Sequence, residues 1–169
     1  MKPVHPIQRF VRHLSSHPWQ VRRYFSAAAL QRIEQAIADS EHQHAGEIRV
    51  VIESGLPVAA VLQGVSPRQR AIQLFGQLNI WDTEHNNGVL VYLMLADRDV
   101  EIVADRGIHR HVREQGWQHI CQQMEGMFRS GHFEQGITHG ITAIGQHLAA
   151  HFPPEATPRN ELCNRVLVL

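Results

Sequence analysis

Cysteine is scarce in this chain: Cys121 and Cys163 are the two in 169 residues. They lie far apart and fall in no close Cys/His ligand pattern, which excludes the disulfide framework of a small secreted domain. Both are read as free thiols in a reducing compartment. Net charge is absent too: 16 basic residues balance 16 acidic ones at a pI near 7.3. No global field therefore recruits nucleic acid or an anionic membrane. Long apolar runs are missing as well. The longest, "GVLVYLMLA", is far too short for a transmembrane helix. Residues 1–25 lack an apolar core and a small-residue cleavage site, so they are not read as a secretory signal. A cytoplasmic protein without a membrane span is expected. Also lacking are a Gly-x-Ser-x-Gly elbow, a phosphate-binding Walker loop and a dinucleotide glycine fingerprint. What is abundant is histidine, with 13 residues, whose titration raises the net charge as pH falls through the imidazole range.

The length suits one domain with decorated ends, and three segments are expected: an amphipathic helical arm at 1–24, a domain at 25–152 and a tail at 153–169. In the arm, Val4, Ile7, Phe10, Val11 and Leu14 recur at helical spacing opposite Arg9, Arg12 and His13. The arm could lie on its own domain, on a partner or on a membrane surface; packing on its own domain is preferred, because it is short and Pro6 interrupts its start. Ser26 caps a helix that carries Leu30, Ile33 and Ile37 and stops at Gly46. "EIRVVIES" alternates as a strand that Gly55 and Pro57 end. Residues 58–65 are ambiguous. Pro67 opens a helix with Ile72, Phe75 and Leu78 on its buried side. "GVLVYLML" is apolar on both faces, as a central covered strand is, and "VEIVA" returns beside it. Helices near 108–128 and 133–151 follow, with Ile120, Met124, Met127 and Phe128 on one buried face and Ile137, Ile141, Ile144 and Leu148 on the other. "NRVLVL" is a short edge strand or an interaction segment.

A tight turn at Asp97-Arg98 makes "GVLVYLML" and "VEIVA" an antiparallel hairpin. The polar flanks of the hairpin then meet at one sheet edge, while Asp97 and Asp99 sit at the other, near the end of the strand carrying Glu53 if a right-handed crossover makes the first two strands parallel. At the first edge Asp82, Glu84, Asn86 or Asn87, and Asp105 offer oxygens to a hard cation, although their spacing matches no EF-hand. The same edge carries Arg106, Arg110 and Arg113, which with Gly107 at a helix start suit an anion or phosphate. The plainer reading has Asp82 and Asn87 capping turns and Asp105 paired with an arginine. The His-x-His pairs His42/His44 and His109/His111, and His147/His151 four apart on a helix, have zinc-like spacing without a third ligand, and solvated histidine is expected for all of them. Trp81 and Trp117 are read as core.

"NNGVLVYLMLADRDVEIVADRGI", with Phe128-Arg129-x-Gly131-x-Phe133-x-x-Gly136 downstream, resembles the TPM domain family from Glu47 to about Pro153. That resemblance implies an α/β fold: a three-layer α/β/α sandwich with a small mixed sheet, a β-α-β-β core and helices on both faces. It implies a ligand edge where the loop before Asn87 meets the segment after the third strand, with calcium as the cofactor bound there in some relatives and weak acid phosphatase activity proposed for others. The ligand set so expected is Asp82, Asn87, Asp105, Arg106 and Arg110; the metal set is Asp82, Glu84, Asn86 and Asp105. The family's glycine-rich acidic segment after the third strand is replaced here by the basic Asp105–His111. The expected function is a non-enzymatic cytosolic accessory or interaction domain, with a LemA-like membrane protein as the partner suggested by family analogy and no nucleic-acid partner. The alternatives are a weak metal-assisted phosphatase built on Asp82, Asp105 and Arg106, or a calcium-binding domain without catalysis.

Overall fold

Alternation of side chains in three strands divides the interior into two cores, one on each face of a single sheet. The computed structural model describes residues 6–154 and 160–169, apart from the side chains of Pro6 and Pro18. The strands are β1 (Glu47–Glu53), β2 (Gly88–Met94), β3 (Asp99–Ala104) and β4 (Leu167–Val168), ordered β3-β2-β1-β4. β1 runs parallel to β2 and β4, and β2 pairs antiparallel with β3. The arm forms α1 (Pro6–Leu14), then a 3-10 turn at Pro18–Gln20 and α2 (Val21–Tyr24); α3 (Ala27–Glu41) leads into β1. The crossover to β2 contains α4 (Val58–Leu62) and α5 (Pro67–Gln77), and α6 (Arg106–Arg129) and α7 (Phe133–His151) follow β3.

Ile48, Val50 and Ile52 of β1 and Val89, Val91 and Leu93 of β2 face α3, α6 and α7, meeting Ile33, Ile37, Met124, Ile137 and Ile141. The intervening residues Val51, Leu90, Tyr92 and Met94 face the crossover, against Ala71, Leu74 and Ile80. This is the period of two expected of a strand covered on both faces. Full burial of each such aliphatic side chain is worth roughly 1.5–3 kcal/mol, so both layers are needed to hold the sheet. The chain is thus a three-layer α/β/α sandwich around a small mixed sheet.

Local chemistry sets the ends. Ser26 accepts a hydrogen bond from the Ala29 N–H at 3.1 Å and starts α3; Ser66 and Gln69 form a reciprocal capping box before Pro67. Residues 58–65, ambiguous from sequence, contain α4. The hairpin closes over 95–98, a longer turn than the Asp97-Arg98 pair alone, with Arg98 at φ 53°. α6 is broken at Arg113, whose φ of 61° and ψ of 170° interrupt the helical path. The tail adds β4 at the outer edge of β1, while 155–159 lie outside the described residues.

Several side chains depart from the sequence expectation. α3 ends at Glu41 with His42 as its cap, so Gly46 is not its stop; instead Gly46 lies beneath Leu148, where a Cβ would collide. Ile72 is exposed, and Ala71 and Leu74 form the buried face of α5. Met127 and Phe128 are half-buried, and Trp81 is exposed while Trp117 belongs to the core. The arm docks by the side that carries Arg9 and His13, while Ile7, Val11 and Leu14 face outward, Arg12 stays exposed and Phe10 is half-buried. Val4 lies outside the described residues. A buried carboxylate, described below, outweighs the apolar stripe in choosing which face of α1 docks.

Candidate functional site

The two polar flanks of the hairpin do meet. The Asp105 N–H donates to the Gly88 carbonyl at 2.9 Å, placing the start of α6 beside the start of β2. Gly107 lies so close to the preceding loop that an added Cβ would strike the backbone carbonyls of Asn86 and His85. That approach requires glycine. Arg106 Nε donates to Asn86 Oδ1 at 3.2 Å, closing the edge from outside.

Asn87 and Asp105 form the inner part of this edge. Asn87 is 1 % exposed; its backbone N–H donates to Thr83 Oγ1 at 3.0 Å and its side-chain Nδ2 to the Ala45 carbonyl at 2.8 Å. The second bond fixes the amide orientation and leaves Oδ1 as an acceptor. Asp105 Oδ1 accepts from the Arg106 N–H at 2.6 Å and caps α6. Asn87 Oδ1 and Asp105 Oδ2 are shut off from solvent without a hydrogen-bond partner, the two buried side-chain polar atoms so left among the described residues. Each unsatisfied buried acceptor costs about 1–3 kcal/mol, and more when charged. Two acceptors on adjoining segments therefore suit something that brings protons or positive charge.

The other expected ligands are dispersed. Asp82 is exposed and lines a shallow depression with Arg49, Leu78, Asn79, Glu161, Leu162 and Cys163. Glu84 faces a second depression, shared with Glu41, His44 and Glu47. Arg110 is directed at its neighbour, with Nε 3.2 Å from His111 Nε2. Among the described residues, no three His, Cys, Asp or Glu side chains gather as a metal-holding group. Asp82, Glu84 and Asp105 accordingly make no acidic cluster, and the edge reduces to Asn86, Asn87, Asp105 and Arg106.

The histidine pairs resolve differently. His44 is buried rather than solvated, with Nε2 3.0 Å from Ser40 Oγ and Nδ1 3.0 Å from the Gly46 carbonyl, and burial lowers its pKa. His111 stacks on His151 at 4.1 Å between ring centroids. Partial desolvation and the neighbouring His151 lower the pKa of both His111 and His147. His109 Nδ1 accepts from Trp117 Nε1 at 3.2 Å.

A third cluster escaped the sequence reading. Glu47 sits opposite Gly88 in the sheet register and is 4 % exposed. Its carboxylate accepts from the Glu161 and Leu162 N–H groups at 3.0 and 3.1 Å. Glu41 accepts from the Ile48 N–H at 2.9 Å and from Asn164 Nδ2 at 2.7 Å. Arg49 Nη1 donates to the Cys163 and Arg165 carbonyls. Burial raises the pKa of both carboxyls, that of Glu41 to about 7. These groups pin the tail to β1. Their signal in the sequence was the placement of two acids around a strand start, which spacing alone cannot tell from a solvated face.

At the opposite end of the sheet, Asp97 is gripped by Arg9, with Nε 3.1 Å from both carboxylate oxygens and Nη2 2.9 Å from Oδ2. His13 completes the grip at 3.0 Å. Because the Leu56 N–H donates to His13 Nδ1 at 2.9 Å, Nε2 carries the hydrogen and donates to Asp97. These partners hold the Asp97 carboxyl below its ordinary pKa despite burial. Nearby, Arg70 makes two 3.0 Å bonds to Glu53, and the Tyr92 hydroxyl donates to Glu53 Oε2 at 2.6 Å. Burial and Glu53 push the tyrosine pKa upward.

Comparison with known proteins agrees with this architecture. A family model described as the TPM domain matches residues 21–147. The solution structure of BA42, from the psychrophilic bacterium Bizionia argentinensis, is similar at 31 % identity and a TM-score of 0.75, covering 85 % of this chain and 94 % of that one. The N-terminal domain of a P. gingivalis protein shares the fold at 20 % identity and a TM-score of 0.60, over 90 % of this chain and 96 % of that one. No curated protein matches the sequence. With the family model spanning most of the sequence and BA42 aligning along nearly its whole length, the chain belongs to the TPM domain family.

Proposed function

We propose that this TPM domain is a non-enzymatic accessory module whose Asn87–Asp105 edge takes up a hard cation, calcium being the candidate. The pair of buried, unpartnered oxygens carries this reading. Calcium accepts amide, carboxylate, backbone and water oxygens, about 6–8 in all. Here Asp105 would supply the negative charge and Asn87 a neutral oxygen, with water completing the shell. When bound, the ion would tie the loop before β2 to the start of α6. The chain's own residues prepare that edge: Ala45 orients the Asn87 amide, and Gly107 lets the loop approach the helix.

Phosphoester hydrolysis by Asp82, Asp105 and Arg106 has less support. Asp82 lines a different depression, and the Asp105 carboxylate occupies the helix terminus where a phosphate would sit. A LemA-like membrane protein as partner, and a cytoplasmic location, rest on the family resemblance. Among the described residues no helix is long and apolar enough to cross a membrane.

Calorimetric titration of the full chain with calcium is the test. Saturable heat that disappears in Asp105→Asn supports the cation edge. Heat no greater than the buffer blank removes it, and reproducible phosphoester turnover lost in Asp105→Ala would replace the accessory reading with a hydrolytic one. Pull-down with the intact chain and with residues 1–24 removed tests the partner.

A further inference from the structure

The balanced charge of the whole chain hides an asymmetry. Residues 1–33 contain no Asp or Glu, and neither do residues 54–81. These stretches supply α1, the 3-10 turn, α2, α4 and α5. The hairpin turn brings Asp97 to α1, but Arg9 and His13 hold that carboxylate, which is 6 % exposed. The segment around α1 therefore presents cations without free anions: Arg12, Arg22, Arg23 and, in the hairpin turn, Arg98 are all exposed.

The same segment exposes apolar side chains. Because α1 docks through its polar face, Ile7 is 68 % exposed, Val11 55 % and Leu14 57 %, all on one side of the helix. The 3-10 turn adds Trp19, 62 % exposed. α4, against which α1 packs, adds Leu62 at 73 %. An apolar stripe with an aromatic side chain and arginines nearby is the composition of an interfacial helix, its Trp suited to the headgroup level. In an isolated amphipathic helix the polar face points to water. Here the domain itself covers that face, so the apolar side is displayed without any unfolding.

We propose that the face made by α1, the 3-10 turn and α4 docks on an anionic lipid bilayer. Ile7, Val11, Leu14, Trp19 and Leu62 enter the headgroup boundary, and the arginines meet lipid phosphates. A protein surface carrying mixed charges suits this acid-free face less well than a uniformly anionic one.

Co-sedimentation of the full chain with vesicles tests the proposal. One set is pure phosphatidylcholine and the other contains equal parts phosphatidylcholine and phosphatidylglycerol. The chain is expected to pellet with the anionic vesicles, less so as salt shortens the Debye length. Val11→Gln with Leu14→Gln, both at exposed positions, should lower partitioning roughly tenfold or more. Arg12→Gln, Arg22→Gln and Arg23→Gln should lower it about fivefold each. Thermal unfolding of each variant, unchanged from the parent, would establish that the fold is intact. No pelleting by the parent, or equal pelleting with neutral and anionic vesicles, overturns the proposal. So does a lipid-free dimer in analytical ultracentrifugation that Val11→Gln with Leu14→Gln abolishes, since that assigns the face to a second copy.

Discussion

The two ends of the sheet hold similar residue types in opposite states. At the Asp97 end a carboxylate, a guanidinium and an imidazole satisfy one another, and Glu53, Arg70 and Tyr92 do the same one strand away. At the Asn87–Asp105 end, two oxygens stay buried without partners although Arg106 bonds the adjoining Asn86. A charged cluster is thus a poor marker of a ligand site by itself. The informative quantity is what remains unsatisfied after neighbours are counted. The Asp97 end attaches the arm; the Asn87 end keeps two acceptors unsatisfied.

The largest effect that would break this contrast is expected at Asp97. Asp97→Ala leaves the Arg9 guanidinium without its counter-charge and the His13 Nε2–H without its acceptor, and should cost about 3 kcal/mol in denaturant unfolding. Its sign with pH follows from the depressed folded-state pKa. The contribution is present above the ordinary carboxylate value and is lost as pH falls through the lower folded value. Parent and variant should therefore converge in strong acid. A variant as stable as the parent at neutral pH would make the grip incidental.

Gly107→Ala comes next. The new methyl meets two backbone carbonyls, which can yield only if the loop leaves α6. Overpacking of this kind costs roughly 1–3 kcal/mol, and the variant should also lose any heat of cation binding. Retention of both stability and binding would show that the loop and the helix are not held together as described.

Glu41 should produce a smaller, pH-dependent effect. Its folded pKa is raised to about 7, chiefly by burial, so the folded state holds a proton that the unfolded state releases. The stabilising contribution is complete below the ordinary glutamate pKa and vanishes as pH rises through about 7. Glu41→Gln should flatten the decline of stability between pH 5 and 8, by about 2 kcal/mol. An unchanged slope would mean that Glu41 is ionised in the folded chain.

The smallest stability change is expected at Asp105. Asn caps a helix about as well as Asp, so Asp105→Asn should alter stability by less than about 1 kcal/mol. Cation affinity should nevertheless fall tenfold or more. This pairing of a silent fold effect with a lost ligand is the reverse of what Asp97→Ala produces.

Much of the fold was legible because it rests on periodicity. β2 reads as buried on both faces, Ser26 and Pro67 mark helix starts, and Ile137, Ile141, Ile144 and Leu148 trace one side of α7. The meeting of the hairpin flanks was legible too, since an antiparallel return leaves them no other arrangement. Long-range satisfaction was not. Nothing local tells that Asp97 waits for Arg9 across 88 positions, so the arm's apolar stripe, and not its arginine, looked like the docking face. Likewise Glu47 and Glu41 gain meaning only from the tail. Asp82 and Glu84 look equivalent to Asp105 by composition, and separate only when the loop's direction is known.

The most direct trial is an amide NMR titration of the full chain with calcium. Saturable shifts confined to 83–88 and 105–110, absent in Asp105→Asn, are the expected result. Amides in those two segments that stay still through millimolar calcium would contradict the cation edge and leave its two oxygens to bound water.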